Sequence, residues 1–208
     1  MLIVCLSDTH EFHRDVSVPD GDLLIHAGDF THLSRPSTLR DFDEWLGEMP
    51  HRYKVVVPGN HDDLLLEPKN RGVIKNANLL VNSGTIIDGI RIWGSPVTPL
   101  PGEAFGMAEA ADREKLWTKI PKNTDILITH SPAFGILDQE GSSERHQGCV
   151  ALRDAIFRVR PRLHVFGHAH GGYGTLRTEH TYHVNAALFD ELGGVERRPI
   201  LVPNFRPR

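Results

Sequence analysis

Cysteine is nearly absent. The 208 residues include two, Cys5 and Cys149, too few for the disulfide frameworks of small secreted domains. Long apolar runs are missing too: none approaches the roughly 20 residues that cross a bilayer. The opening MLIVCLSDTH has no basic leader or small-residue cleavage site and reads as a strand. The expectation is therefore a cytoplasmic protein with no membrane partner. Positive charge is not in excess. A net charge of -4, with no stripe of basic and aromatic residues, speaks against a nucleic-acid partner. Repeats, low-complexity tracts and linkers are also lacking, so a single domain over residues 1–208 is the simplest division.

Histidine, by contrast, is plentiful, with 13 copies. It is the commonest metal ligand and a frequent acid or base, so their placement matters. Short apolar runs rich in β-branched residues occupy 2–6, 23–26, 54–57, 85–87, 90–93, 126–129, 163–166 and 182–186. Gly, Pro, Asp or Asn bound them, which favours strands. Several are apolar throughout, as strands covered on both faces are. A last pair, 187–189 and 199–202, fits a hairpin across Gly193-Gly194. Helical patterns lie between: from an N-cap at Ser37 to about residue 49, over 108–120, and over 150–159, stopped by Pro161. Strands alternating with helices define an α/β class.

Five strand ends carry the chemistry. They read Ser7-Asp8-Thr9-His10, Gly28-Asp29, Pro58-Gly59-Asn60-His61-Asp62, His130, and Gly167-His168-Ala169-His170. In α/β sheets ligands bind at the carboxyl ends of strands, so these groups should converge. Asp, Asn and His without thiolates suit Mn²⁺, Fe²⁺ or Zn²⁺ better than a structural cysteine-zinc site. On extended backbone, residues two apart point the same way. Asp8 with His10, and His168 with His170, can each offer two ligands to one cavity. Buried structural roles fit His26, His164 and His183, and solvated ones His13, His51 and His180. Chance packing does not readily yield five such motifs at five strand ends.

D-x-H, G-D, G-N-H-[DE], a strand-end histidine and G-H-x-H, in this order over residues 5–170, resemble the signature of the calcineurin-like metallophosphoesterases. The segments GDLLIHAGDFTH, TDILITHSP and HQGCVALRDAIFRVRPRLHVFGHAHGGYGT are most similar to the metallophosphoesterase-domain-containing branch, whose members are associated with cyclic-nucleotide hydrolysis. The resemblance implies a four-layer α-β-β-α sandwich with two mixed sheets and a site for two divalent ions, Mn²⁺ first among them. Asp8, His10, Asp29 and His170 would hold one ion, and Asn60, His130 and His168 the other, with Asp29 between them. Where some animal relatives have glycine, this chain has His168, which implies a complete site. His61 would serve the leaving group, with Asp62 orienting it. His32, His146 and Asn185 are secondary candidates for substrate contacts; His146 precedes Gly148-Cys149 at a helix N-terminus that can receive an anion. The implied activity is hydrolysis of small phosphodiesters such as cyclic nucleotides. The alternatives are a phosphomonoesterase or protein phosphatase, and a nucleotide-binding regulator with weak hydrolysis.

Overall fold

The computed structural model describes residues 1–139, 145–189 and 194–207. The N-terminal sheet is built from β1 (Ile3–Leu6), β2 (Leu23–His26), β3 (Tyr53–Val56) and the short β4 (Asn78–Leu79), all parallel, with β11 (Ile200–Val202) antiparallel on the outside of β1. The second sheet runs β5 (Ser83–Ile87), β6 (Ile90–Ser95), β7 (Ile126–Thr129), β8 (Leu163–Phe166), β10 (Tyr182–Asn185) and β9 (Gly174–Arg177). Its four central strands are parallel and its two edge strands antiparallel. Both sheets are therefore mixed.

Burial explains the continuous apolar strands. Every residue of β1, β2, β7 and β8 is buried, because each strand has a sheet on one face and a helix on the other. Ile3, Cys5, Leu23, Ile25 and Val55 meet Ile92, Ile126, Ile128, Val165 and Val184 between the sheets. On the outer face of the first sheet, Val4, Leu6, Leu24 and Val56 pack on Leu39, Phe42, Trp45 and Leu46 of α1 (Pro36–Glu48). On the second, Trp93, Leu127 and Phe166 meet α2 (Ala110–Trp117) and α3 (Val150–Val159). The result is the four-layer α-β-β-α order. No helix among the described residues is long and apolar enough to cross a membrane.

Some elements depart from the sequence pattern. Helix α1 begins at Pro36, with no side-chain cap from its N-cap Arg35; proline's fixed φ suits the first turn. The expected late hairpin does not form: Ile200–Val202 pairs with β1, and Ala187 bridges Ser7 in parallel. Gly193 lies outside the described residues. Strands β4 and β9 were not visible because they are short or largely exposed edges without an apolar run.

Three buried histidines off the site set an acid limit on stability. The Nε2 of His164 lies 2.8 Å from Thr129 Oγ1, and its Nδ1 lies 3.3 Å from Nδ1 of His183. Only one of those facing nitrogens can carry the shared hydrogen, so the two rings cannot both be protonated. Burial lowers His26 to about 3 and His183 to about 4, and burial with the His183 charge holds His164 well below its usual value. The unfolded chain takes up these protons near pH 6.5 and the folded chain does not. Stability is thus complete above pH 6.5 and lost as pH falls toward 4, by about 1.4 kcal/mol per pH unit for each histidine at most. Urea unfolding in chelator should show a lower midpoint at pH 5 than at pH 7. Equal midpoints would refute the neutral burial of these rings.

Candidate metal centre

The two sheets meet at their carboxyl edges. Beyond β1 and β2 the chains stay paired: the Asp8 N–H donates to Gly28 O (2.8 Å) and the His10 N–H to Asp29 O (3.0 Å). Beyond β6, β7 and β8 the His130 N–H donates to Ser95 O (3.1 Å) and the Gly167 N–H to His130 O (3.0 Å). The chain turns sharply at the motif residues. Asp8, His10, Asp29 and His168 have φ of 55°, 42°, 54° and 66°, the left-handed region that side chains rarely adopt. Such backbone persists only where surroundings over-determine it, and it clusters at functional sites. Gly167 is required by contact: a Cβ there would strike the Asp8 carboxylate and the Ser7 hydroxyl.

These turns gather the donors. The ligand atoms of Asp8, His10 and His170 lie within 4.8 Å of one another, and so do those of Asp8, Asp29 and His130. His170 Nε2 is 3.3 Å from Asp8 Oδ1, and His130 Nε2 is 3.3 Å from Asp29 Oδ2. Asn60 Oδ1 lies 2.8 Å from His130 Nε2 and 3.0 Å from His168 Nδ1. All seven residues predicted as ligands thus share one region, with Asp8 common to two neighbouring groups.

Electrostatics and unmet bonds agree with a cation here. Burial alone would raise the Asp8 carboxyl, but the His170 hydrogen bond and the His130, His170 and His10 charges hold it well below the carboxylate range. Burial opposes Asp29 in the same way, and His130 outweighs it, so its carboxyl too is lowered. His130 is the counterpart: burial lowers it, but Asp29 and Asp8 drive it up to about 10. Its Nδ1 points to Ala27 O at 3.0 Å, a carbonyl contact of the kind that turns the other nitrogen of an imidazole toward a metal. Burial and the His130 charge lower His168 to about 4, a neutral ring. Nε2 of His168 is buried with no hydrogen-bond partner, a cost that native interiors avoid. Two ionised carboxylates, an amide oxygen and surplus ring nitrogens fit divalent ions of intermediate hardness.

His61 stands beside this group, its ring centroid 4.9 Å from that of His10. Its backbone N–H donates to Asp29 Oδ1 (2.8 Å), and its Nδ1 meets the carbonyl of His32 at 3.1 Å. That contact leaves Nε2 for the site. Glu11 supports the arrangement: its Oε1 accepts the N–H groups of His32 (3.2 Å) and Leu33 (3.3 Å). The His32 ring stacks on His61 at 5.4 Å.

Asp62 does something other than orient the His61 ring. It is fully buried, and accepts the N–H groups of Asp29 (3.0 Å), Gly59 (2.8 Å) and Thr31 (2.9 Å) and the Thr31 hydroxyl (2.7 Å). It ties the β2 and β3 turns together, while burial and the Asp29 charge push its carboxyl up to about 7. Asp62→Ala would strand several buried donors at about 1–3 kcal/mol each. Such a variant should lose both thermal stability and metal, a joint loss readable by calorimetry and metal analysis. Unchanged stability would contradict the tie.

Asn185 also turns out to be occupied by backbone. Its amide donates to Leu137 O (2.9 Å) and Ala169 O (2.8 Å) and accepts the Ala187 N–H (3.2 Å), so it shapes the His168–His170 turn from beneath and has no N–H left to donate to a phosphate. His146 is turned to Asp138 at 2.8 Å, and Asp138 also accepts the Gly148 N–H (3.0 Å). The Asp138 carboxylate thus holds the turn that precedes α3.

Other neighbours gave no sign in the sequence. Arg197 donates from Nη1 to the carbonyls of His170 (2.6 Å), Ala187 and Phe189 (both 3.1 Å). The Phe189 ring covers His10 at 4.8 Å and His170 at 5.7 Å. Glu103, in the loop 97–107, has its carboxyl raised by burial and by the Asp29 charge, with His130 and His61 opposing. A lone Arg, Phe or Glu in an irregular segment makes no local pattern.

The fold and this donor set define a metal-dependent phosphoester hydrolase. Residues 1–172 match the family model described as calcineurin-like phosphoesterase, and the chain belongs to that family. It is 37% identical over 215 residues to the UPF0046 protein K07C11.7 of Caenorhabditis elegans, covering 96% of this chain and 73% of that one. It is 40% identical over 212 residues to metallophosphoesterase domain-containing protein 1 of Homo sapiens, covering 89% of this chain and 65% of that one. A solved structure shares the fold with a TM-score of 0.68 at 18% identity, over 88% of this chain and 89% of that one.

Proposed function

We propose that the chain hydrolyses small phosphodiesters, cyclic nucleotides among them, with two divalent ions, Mn²⁺ foremost. The observation that carries this is the gathering of Asp8, His10, Asp29, Asn60, His130, His168 and His170 where the carboxyl edges of the two sheets meet, with His61 beside them. Asp8, His10, Asp29 and His170 would hold one ion and Asn60, His130 and His168 the other, with Asp29 shared. When bound, such a pair supplies an activated water and neutralises charge on the phosphoryl oxygens. The protein does the rest. Asp29 fixes the His61 backbone, the His32 carbonyl fixes the His61 ring, and Nε2 of His61 is aimed to protonate or hydrogen-bond the leaving oxygen. The Glu103 carboxylate, felt by Asp29 and His61, adds negative charge near the site. That favours a monoanionic diester over a dianionic monoester.

The test is to strip the protein with chelator, restore Mn²⁺, and compare bis-p-nitrophenyl phosphate with p-nitrophenyl phosphate. Restored activity favouring the diester is the expected result, and it justifies a screen of 2′,3′- and 3′,5′-cyclic nucleotides. Preference for the monoester would replace this reading with a phosphatase. Binding of nucleotide without turnover would replace it with a regulator.

A further inference from the structure

A second group of donors sits against the first. Ring nitrogens of His10, His32 and His61 lie within 4.8 Å of one another. His32 and His61 stack nearly parallel, 14° apart, and both stand across the His10 ring at 76° and 90°. We infer that these three imidazoles form a third metal site, joined to the paired centre through His10, which takes Zn²⁺ and by doing so inhibits the enzyme.

The chemistry of the group separates it from its neighbour. It holds nitrogen only, and imidazole sites favour Zn²⁺, Cu²⁺ or Ni²⁺, whereas Mn²⁺ prefers carboxylate and carbonyl oxygen. Three histidines with an open fourth position are also a known arrangement for tetrahedral zinc. His32 and His61 each have a nitrogen to give, and His10, a ligand of the paired centre through one nitrogen, gives its second as imidazolate, its ring proton passing to solvent. The Nδ1 of His61 is taken by the His32 carbonyl at 3.1 Å, leaving its Nε2. The Nε2 of His10 lies 4.0 Å from Asp29, but its Nδ1 is buried with no hydrogen-bond partner. His32 is exposed, so its ring can swing in from solvent. With bonds of about 2.0–2.1 Å, tetrahedral zinc holds its nitrogens roughly 3.3 Å apart, a contraction that an exposed side chain and a half-buried one can make. An ion there occupies Nε2 of His61.

The inhibitory half of the inference rests on the reading of His61 as the group that serves the leaving oxygen; the binding half does not. The experiment separates them. The Mn²⁺-loaded chain is dialysed against rising Zn²⁺ with Mn²⁺ in excess, and both metals are counted by mass spectrometry while activity is measured. The expected result is one Zn²⁺ per chain beside two Mn²⁺, with activity falling at least tenfold as it binds. His32→Ala and His32→Gln should each retain two Mn²⁺, lose the zinc equivalent, and need about 10–100-fold more Zn²⁺ for the same fractional inhibition. Zinc that binds equally to wild type and both variants, whether beside manganese or in its place, would overturn the site. If the protein proves inactive on every ester, the count of zinc with and without His32 still decides whether the site exists.

Discussion

Asp29→Asn should leave a folded protein with almost no activity. One oxygen of this carboxylate lies 3.3 Å from His130 Nε2, and the other accepts the His61 N–H at 2.8 Å. It therefore stands between the donors of one proposed ion, those of the other, and the proposed proton donor. An amide of the same shape removes the charge that both ions would share, and can present N–H groups to donors. The loss of several kcal/mol of electrostatic stabilisation corresponds to a rate decrease on the order of 10³-fold or more. Metal analysis should show fewer than two ions per chain. An active variant holding two ions would sink the bridging role.

The second large effect is selective. His61→Ala keeps every proposed ligand, so metal content should stay near that of wild type. What goes is the Nε2 left free by the His32 carbonyl contact, the group proposed to serve the leaving oxygen. An alkoxide needs a proton to depart and p-nitrophenolate does not. Hydrolysis of alkyl or ribose esters should fall about 10²–10⁴-fold, while p-nitrophenyl esters suffer far less. Equal losses on both substrates, together with loss of metal, would make His61 a ligand instead.

The residues that come together were legible because their signal is local. Each apolar strand announces its own carboxyl end, and parallel order brings those ends to one edge of each of the two sheets. The apolar strands of both sheets and the helix at Val150–Val159 followed the same logic. What could not be read depends on backbone or on distant chain. Asp62 stands next to His61 in sequence, which suggested a partnership. Its real partners are N–H groups on two turns, and an N–H leaves no mark on residue type. The support of His61 is likewise the carbonyl of His32, held by Glu11. Asn185 sits at a strand end like the ligands do, yet faces the Ala169 and Leu137 carbonyls. The segment 200–202 is a short apolar run that could pair with any strand edge, and only the tertiary fold chooses β1 over a hairpin.

The measurement that bears most directly on the account is a titration of Mn²⁺ into the metal-free chain, following bound metal and diester hydrolysis together. Two ions should bind per chain, and activity should appear with the second equivalent. Full activity at one ion per chain, or two bound ions with no hydrolysis of any phosphoester, would contradict a shared centre built on Asp29.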